Sequence, residues 1–211
     1  MKRQIFITAT DTNAGKTWVT SGAIRSCLEA KISAIAIKPV ACGLDEKGQN
    51  EDIQILLKAQ NLYQADLINR YRFLQPAAPS LAAANQGSVI DPQKLLLWCA
   101  AHSNKTCLIE GIGGLMVPLT DHWLVSDWLA AMNECEVWLV VGCRLGAINQ
   151  ALLSMFKLSQ MGRTPSRIIL NASEPSDEAW LQTTQQAITP FLPANCSLQQ
   201  LKYGEPFRLN V

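Results

Sequence analysis

The sequence predicts one α/β domain of three layers, with a mainly parallel sheet between two layers of helices. Apolar segments of strand length alternate with segments of helical periodicity along the whole chain. Each strand segment is a continuous apolar run, as is typical of strands covered on both faces. At 211 residues, 48% of them hydrophobic, the chain can bury a substantial core. No linker divides it, so we expect residues 1–211 to form a single domain.

Five apolar runs are expected to be the strands of this sheet. They are Gln4–Ala9, Ile32–Ile37, Thr106–Ile109, Val137–Val141 and Arg167–Leu170.

Helices are predicted between these strands. One follows Gly15, and a second begins near Asp52. Asp91 followed by proline is typical of an N-cap and first helical position. A further helix should run from about Ala147 to Gln160 and stop at Gly162.

Charge and composition argue against several classes of protein. The 18 basic and 17 acidic residues give a net charge of +1, which argues against a nucleic-acid binder that relies on a positive field. The longest apolar run is far shorter than the roughly 18 residues that span a membrane. Seven cysteines stand singly and the two histidines form no zinc spacing, so we expect a protein of the reducing cytoplasm.

The first predicted strand leads into a candidate phosphate-binding loop. In parallel α/β sheets, ligands bind beyond the carboxyl ends of the strands. Gly15-Lys16-Thr17 opens a helix there, where backbone N–H groups can hold phosphate oxygens and the lysine can reach the outer phosphates. The threonine hydroxyl can ligate magnesium. Thr10 replaces the first glycine of the standard loop, and a simpler interpretation is a glycine-started helix with an exposed lysine.

Two further strand ends carry charged residues. Lys38 ends the second strand and is expected to face the same crevice as Lys16, where two ammonium groups favour an anionic substrate. Taken alone, Lys38 is more simply interpreted as a solvated lysine at a strand end. Glu110 precedes Gly111–Gly114, an arrangement that suits magnesium or a ligand approaching the backbone. Asp52 is by itself most simply a helix N-cap.

The last predicted strand ends at Asn171. Its amide offers a donor and an acceptor, which match the edge of a purine base, although a strand-end turn residue explains it as well. Arg144, at another glycine-punctuated strand end, receives no role.

In this order, these residues resemble the dethiobiotin synthetase family of the P-loop NTPase fold. Thr10-Asp11-Thr12 matches the family's Thr-Asp-Thr, and Ala9 to Gly15 has the spacing of its lengthened phosphate loop. Lys38–Val40, Glu110–Gly114 and Leu145–Asn149 match three more family motifs. The resemblance extends from about Ile5 to Asn171.

The resemblance implies a set of site residues. Lys16 and Lys38 would be catalytic, and Asn171 would contact adenine. Magnesium would be held by Thr17, Asp52 and Glu110. The remaining ATP-binding positions would be Thr12, Asn13, Ala14, Gly15, Gly111, Ile112, Gly113 and Ala172. The substrate would be bound by Thr12, Lys38, Cys42, Leu145, Gly146 and Asn149, the last three from the partner subunit of a homodimer.

The resemblance also implies a reaction. ATP and Mg2+ would drive carboxylation of 7,8-diaminopelargonic acid by CO2, through a carbamate and a carbamic–phosphoric anhydride, to the cyclic urea dethiobiotin. This reaction belongs to biotin biosynthesis, and its products are ADP and phosphate. It needs no protein nucleophile, in keeping with the absence of a Ser-His-Asp or Cys-His arrangement.

The chain departs from the family pattern at five places. Ala9 and Ala14 replace the loop's usual glycine and valine, and alanine fits there if φ stays negative. Cys42 replaces a hydroxyl residue, and Ile112 replaces a small one. We expect Ser197–Leu201 to lie where the family closes a segment over the base, although the usual proline is missing.

Two other functions are compatible with a loop of this kind. A related nucleotide-dependent switch or regulatory ATPase would share it, although such proteins usually carry a second lysine near its start, where this chain has Ala9-Thr10-Asp11. A glutamine-dependent amide ligase of the cobyrinate type would need a glutaminase domain, for which 211 residues leave no room.

Overall fold

A computed structural model describes residues 3–132 and 134–209 of the protein. The strands are β1 (Gln4–Ala9), β2 (Ala34–Ile37), β3 (Val40–Cys42), β4 (Tyr71–Phe73), β5 (Thr106–Glu110), β6 (Pro118–Thr120), β7 (Trp123–Leu124), β8 (Cys135–Gly142), β9 (Pro165–Asn171) and β10 (Ser197–Leu201). The α-helices are α1 (Lys16–Glu29), α2 (Glu51–Ala59), α3 (Pro79–Asn85), α4 (Pro92–Ala100), α5 (Val125–Ala131), α6 (Ala147–Gln160) and α7 (Glu178–Ile188).

Six strands form the central sheet in the order β10-β9-β8-β1-β5-β2, and every neighbouring pair is parallel. Two short ribbons stand apart from it, parallel β3–β4 and antiparallel β6–β7. The predicted mainly parallel α/β architecture is therefore confirmed. Because all six central strands run the same way, their carboxyl ends meet at one edge, where a ligand site is expected.

The predicted strands are present with small differences at their ends. The first is observed as predicted, from Gln4 to Ala9. The second begins at Ala34 rather than Ile32. The Ile32 N–H donates to the Cys27 carbonyl of α1 at 2.8 Å, so Ile32 lies in the turn that follows the helix. The other three strands are longer than predicted by one or two residues at one or both ends, since strand pairing continues past the strictly apolar run.

The predicted helices are also present, but the residue that caps α2 is not the one expected. Helix α6 spans Ala147–Gln160, and Asp91 caps α4 by accepting from the Lys94 N–H. Helix α2 is capped by Asn50, whose side chain accepts from the Ile53 N–H at 3.3 Å. The N-cap interpretation of Asp52 is therefore wrong, and its carboxylate is available for another role.

One prediction about the C-terminal part is also wrong. Ser197–Leu201 does not fold over the site but forms β10, the edge strand paired with β9 from Ser197↔Arg167 to Leu201↔Asn171. The strand places the following residues, 202–205, at the carboxyl edge of the sheet.

The core consists of two clusters of buried side chains. The larger contains Phe6 of β1 and Trp128 of α5, whose rings meet edge to face at a centroid distance of 4.8 Å. The smaller lies between β8, β9 and helices α6 and α7. Within the described residues, no helix is long and apolar enough to cross a membrane.

Replacing Trp128 tests the larger cluster. Trp128 is fully buried, so Trp128→Ala leaves a large cavity and is expected to lower the free energy of unfolding by about 3–5 kcal/mol. Thermal or urea unfolding measures the change. Trp180→Ala, at a tryptophan that is 36% exposed on α7, is the control and should cost much less. Equal losses in the two variants would contradict this description of the core.

Candidate active site

A cavity of about 930 Å³ opens at the carboxyl edge of the sheet. Its wall is built from the segments that follow β1, β2, β5 and β9, together with the start of α2 and the turn after β10. The sheet topology thus brings sequence-distant segments to one place, as expected for a parallel α/β fold.

The loop between β1 and α1 has the backbone shape of a phosphate-binding loop. Asn13 and Gly15 both adopt positive φ, at 58° and 99°. A Cβ on Gly15 would lie 2.2 Å from Nδ2 of Asn171, so only glycine fits. Ala9 and Ala14 are not among the positive-φ residues of the described chain, and alanine fits at both positions.

Lys16 folds back over this loop. Its Nζ donates to the carbonyl oxygens of Asp11 at 3.1 Å and Gly113 at 2.9 Å. Burial, together with the nearby Lys38 ammonium, lowers the pKa of Lys16 to about 8. The ammonium therefore lies between the phosphate loop and the glycine turn after β5, two backbone segments that can both approach an anion.

Asp11 anchors the loop to the segment after β8. Its carboxylate accepts from the guanidinium of Arg144, from the Gln150 amide at 3.3 Å and from the Thr12 N–H at 2.7 Å. Burial works to raise the pKa of Asp11, but the Thr12 and Arg144 donors outweigh it and lower that pKa. Arg144, which received no role from the sequence, holds the phosphate loop in position.

Lys38 is buried at the centre of an acidic cluster. Its Nζ lies 2.6 Å from Glu110 Oε1 and 2.9 Å from Asp52 Oδ2. Burial works against the charged lysine, but the Glu110 and Asp52 carboxylates outweigh it and raise the pKa of Lys38. The interpretation of Lys38 as a solvated strand-end residue is therefore wrong, because the side chain is only 3% exposed.

The cluster has more oxygen acceptors than protons to satisfy them. Thr17 Oγ1 lies 2.7 Å from Asp52 Oδ1 and 2.6 Å from Glu110 Oε1, yet its hydroxyl carries one proton. Glu110 Oε2 is buried and has no hydrogen-bond partner among the described residues. Clustered hydroxyl and carboxylate oxygens are the donor set that magnesium prefers, so these three residues fit a magnesium ion.

Asn171 is held by the phosphate loop itself. Its Nδ2 donates to the Ala14 carbonyl at 3.0 Å and to Ser173 Oγ at 3.0 Å. Both amide hydrogens are thus used, and Oδ1 alone remains for a ligand. The expected donor-plus-acceptor pairing with a purine edge is reduced to a single acceptor.

The cavity contacts most of the residues proposed from the sequence. Its wall includes Thr12, Asn13, Gly15, Lys16, Thr17, Lys38, Cys42, Asp52, Ile112, Gly113, Asn171 and Ala172. Burial raises the pKa of the Cys42 thiol to about 11, so it faces the cavity as a neutral thiol.

The other proposed residues lie elsewhere. Ala14, Glu110 and Gly111 are buried and do not line the cavity, although Glu110 contacts its wall through Lys38 and Thr17. Leu145, Gly146 and Asn149 lie outside the cavity, and Leu145 is 80% exposed. In this chain alone they are therefore not part of the same pocket.

The sequence did not predict the ion pair of Asp11 and Arg144, which anchors the phosphate loop. It also did not predict that Trp18 and Tyr203 line the cavity. The only available signal was position, since Arg144 follows an apolar strand and Trp18 follows Thr17.

A loop with positive φ before a helix and a buried lysine across it suit a nucleotide's phosphates. The acidic cluster beside them suits the magnesium ion that accompanies such phosphates. On a parallel sheet of this order, they define the class of phosphate-loop nucleotide-binding proteins.

Comparisons with known proteins agree. A family model described as "AAA domain" matches residues 3–200. The ATP-dependent dethiobiotin synthetase of Acidiphilium cryptum is 36% identical over 179 residues, covering 81% of this chain and 80% of that protein. That of Legionella pneumophila (strain Philadelphia 1) is 40% identical over 162 residues, covering 73% and 72%. That of Pseudoalteromonas translucida is 34% identical over 184 residues, covering 82% and 79%. The chain belongs to the ATP-dependent dethiobiotin synthetase family, which confirms the resemblance found in the sequence.

The role of Arg144 can be tested by substitution. Arg144→Gln removes the guanidinium from Asp11 and loosens the phosphate loop, so we expect the Kd for ADP to rise about tenfold, which corresponds to ~1.4 kcal/mol. Isothermal titration calorimetry measures this. Arg3→Gln is the control, because Arg3 pairs with Glu136 before β1, at the amino end of the sheet. An unchanged Kd in Arg144→Gln would contradict the anchoring role.

Proposed function

We propose that this protein forms dethiobiotin from 7,8-diaminopelargonic acid, CO2 and ATP in a magnesium-dependent reaction. The observation that carries the proposal is the convergence of Lys16 and Lys38 on one cavity, next to the acidic cluster. We further propose that residues 1–211 act as one ATP-binding domain in the cytoplasm. Family membership supplies the identity of the reaction.

The phosphate loop binds the triphosphate of ATP. Backbone N–H groups of residues 12–17 and the N-terminus of α1 face the phosphates. Lys16 reaches the outer phosphates, since its Nζ already lies between the loop and Gly113. Ile112 and Gly113 form the opposite wall of this phosphate site, and Gly111, buried next to them, supports that wall.

Thr17, Asp52 and Glu110 hold the magnesium ion, a role supported by the surplus of oxygen atoms in the cluster and by Glu110 Oε2, which has no partner among the described residues. When bound, the ion neutralises part of the negative charge that phosphoryl transfer develops on the phosphate oxygens.

Lys38 binds and stabilises the carbamate formed from the substrate. The diamine has two amines, and one of them, in its neutral form, attacks CO2, forming a C–N bond and releasing a proton to give a carbamate. A carbamate oxygen attacks the γ-phosphorus, and the bond to the β-phosphate oxygen breaks to release ADP. The Lys38 ammonium, together with Lys16, stabilises the anionic groups that meet at this step.

Ring closure then needs only positioning. The second amine attacks the carbonyl carbon of the mixed anhydride, the C–O bond to phosphate breaks, and the amine proton is lost. Phosphate leaves and the cyclic urea remains. Thr12 and Cys42, which line the same cavity, contact the substrate near this centre, and the apolar wall of Ile55, Pro76 and Ala77 suits its aliphatic chain.

The active assembly is proposed to be a homodimer. Leu145, Gly146 and Asn149 lie outside the cavity of their own chain, and Leu145 is largely exposed. An exposed apolar side chain at the start of α6 is suited to a subunit contact, through which these residues would reach the partner's substrate.

The reaction itself is the decisive test. Phosphate release from ATP should depend on 7,8-diaminopelargonic acid in the presence of magnesium and bicarbonate, with dethiobiotin detected by mass spectrometry. EDTA should abolish the release and excess magnesium should restore it. Release that does not respond to the diamine would instead favour the nucleotide-switch alternative.

Substitution of the two lysines tests their roles. Lys16→Ala and Lys38→Met are each expected to lower the rate of dethiobiotin formation at least ~100-fold, because each removes an ammonium from the reacting anions. Lys94→Ala, at an exposed lysine on α4, is the control and should retain the wild-type rate. Circular dichroism verifies folding of each variant, and undiminished turnover in Lys16→Ala would refute the mechanism.

A further inference from the structure

Two aromatic side chains at the cavity have no role in the phosphate site or the acidic cluster. Trp18 of α1 is 42% exposed and Tyr203, after β10, is 52% exposed. Both line the cavity, together with Asn171, Ala172 and Gly204. Exposed aromatic rings that share the wall of a concave site are suited to planar, apolar ligand groups.

Tyr203 is presented by a well-defined turn. The Glu205 N–H donates to the Lys202 carbonyl at 3.0 Å, and Gly204 supplies the positive φ of 71° that such a turn requires. The Lys202 N–H donates to the Glu205 carboxylate at 3.0 Å, and the Tyr203 N–H donates to Glu178 at 3.2 Å. Three hydrogen bonds therefore fix the backbone from which the phenol ring projects.

Trp18 ties this turn to the phosphate site. Its indole Nε1–H donates to the Glu205 carbonyl at 2.8 Å. Trp18 directly follows Thr17 in the first turn of α1, so one side chain connects the phosphate loop's helix with the turn that carries Tyr203. This contact holds the Trp18 side chain against the turn that carries Tyr203.

The order of the strands places these rings away from the reacting phosphate. Lys38 and Glu110 follow or end β2 and β5, which lie on one side of β1. Asn171 ends β9 and the turn at 202–205 follows β10, and both strands lie on the other side of β1. A nucleoside triphosphate whose outer phosphate points to Lys38 therefore extends its base towards Trp18 and Tyr203.

We propose that Trp18 and Tyr203 form an aromatic clip that binds the base of the nucleotide by stacking. This deepens the proposed function, because it requires a nucleoside triphosphate on the phosphate loop. Stacking on aromatic rings tolerates different bases, since every base presents a π-face. Asn171 Oδ1 adds one polar contact for an exocyclic amine, so base affinity comes mainly from the clip.

Comparing ligands with and without a base separates the clip from the phosphate loop. Calorimetry with ADP and with inorganic tripolyphosphate is carried out on the wild-type protein, Trp18→Ala and Tyr203→Ala. Each variant is expected to bind ADP about tenfold more weakly and tripolyphosphate within about twofold of wild type, from the usual strength of base stacking. Trp180→Ala, at an exposed tryptophan outside the cavity, should leave both affinities unchanged.

A conservative variant distinguishes stacking from loop anchoring. Trp18→Phe keeps an aromatic ring but removes the N–H bonded to Glu205, so it should retain much of the ADP affinity that Trp18→Ala loses. ADP should also quench the tryptophan fluorescence of the wild-type protein, whereas tripolyphosphate should not, and Trp18→Phe should lose that quenching.

The outcomes separate the clip from the reaction. Unchanged ADP affinity in Trp18→Ala and Tyr203→Ala, or equal losses for ADP and tripolyphosphate, would overturn the clip even if the wild-type protein makes dethiobiotin. Base-dependent losses without dethiobiotin formation would support the clip and overturn the proposed reaction. Failure of ADP to bind the wild-type protein would overturn both.

Discussion

The buried contact between Lys38 and Glu110 is the interaction on which the site depends. Glu110 is fully buried and Lys38 nearly so, with 2.6 Å between Nζ and Oε1. A buried charge is tolerated only when it is paired, and removing one partner of such a pair costs about 3–5 kcal/mol. Because β2 and β5 are neighbouring parallel strands, the residues at their carboxyl ends lie side by side, and this brings Lys38 and Glu110 together. The charge balance of the cluster also leaves spare carboxylate oxygens for a cation.

The rest of the site is held by contacts between neighbouring strand ends. Asn171 after β9 packs against Gly15 and bonds the Ala14 carbonyl, so the phosphate loop and the base side of the cavity share one wall. Arg144 after β8 holds Asp11 of the same loop. Both contacts come from the β8–β9 side of β1, and on the other side Lys16 of α1 bonds the Gly113 carbonyl after β5. Tertiary contacts from both sides therefore hold the loop in its positive-φ conformation.

Several elements were predictable because their signals are local. β1 and α6 were predicted at their observed bounds, since a continuous apolar run and a helical apolar period depend on adjacent residues. β10 was missed because Ser-Leu-Gln-Gln-Leu is an edge strand with little burial along most of its length, and it lacks an apolar run. Asp52 was misassigned for a related reason, because Asn50 two residues earlier is an equally good cap and only the structure shows which one is used.

The sequence by itself determined the alternation of strands and helices, the phosphate loop, and the lysine and carboxylate positions that mark the family. Each is encoded by residue type and spacing along the chain. Only the tertiary structure decided that Lys38 is buried between two carboxylates, that Arg144 holds Asp11, and that Trp18 meets the turn after β10. These contacts join residues from about 14 to nearly 190 positions apart, and strand order, which no local pattern encodes, is what brings them together.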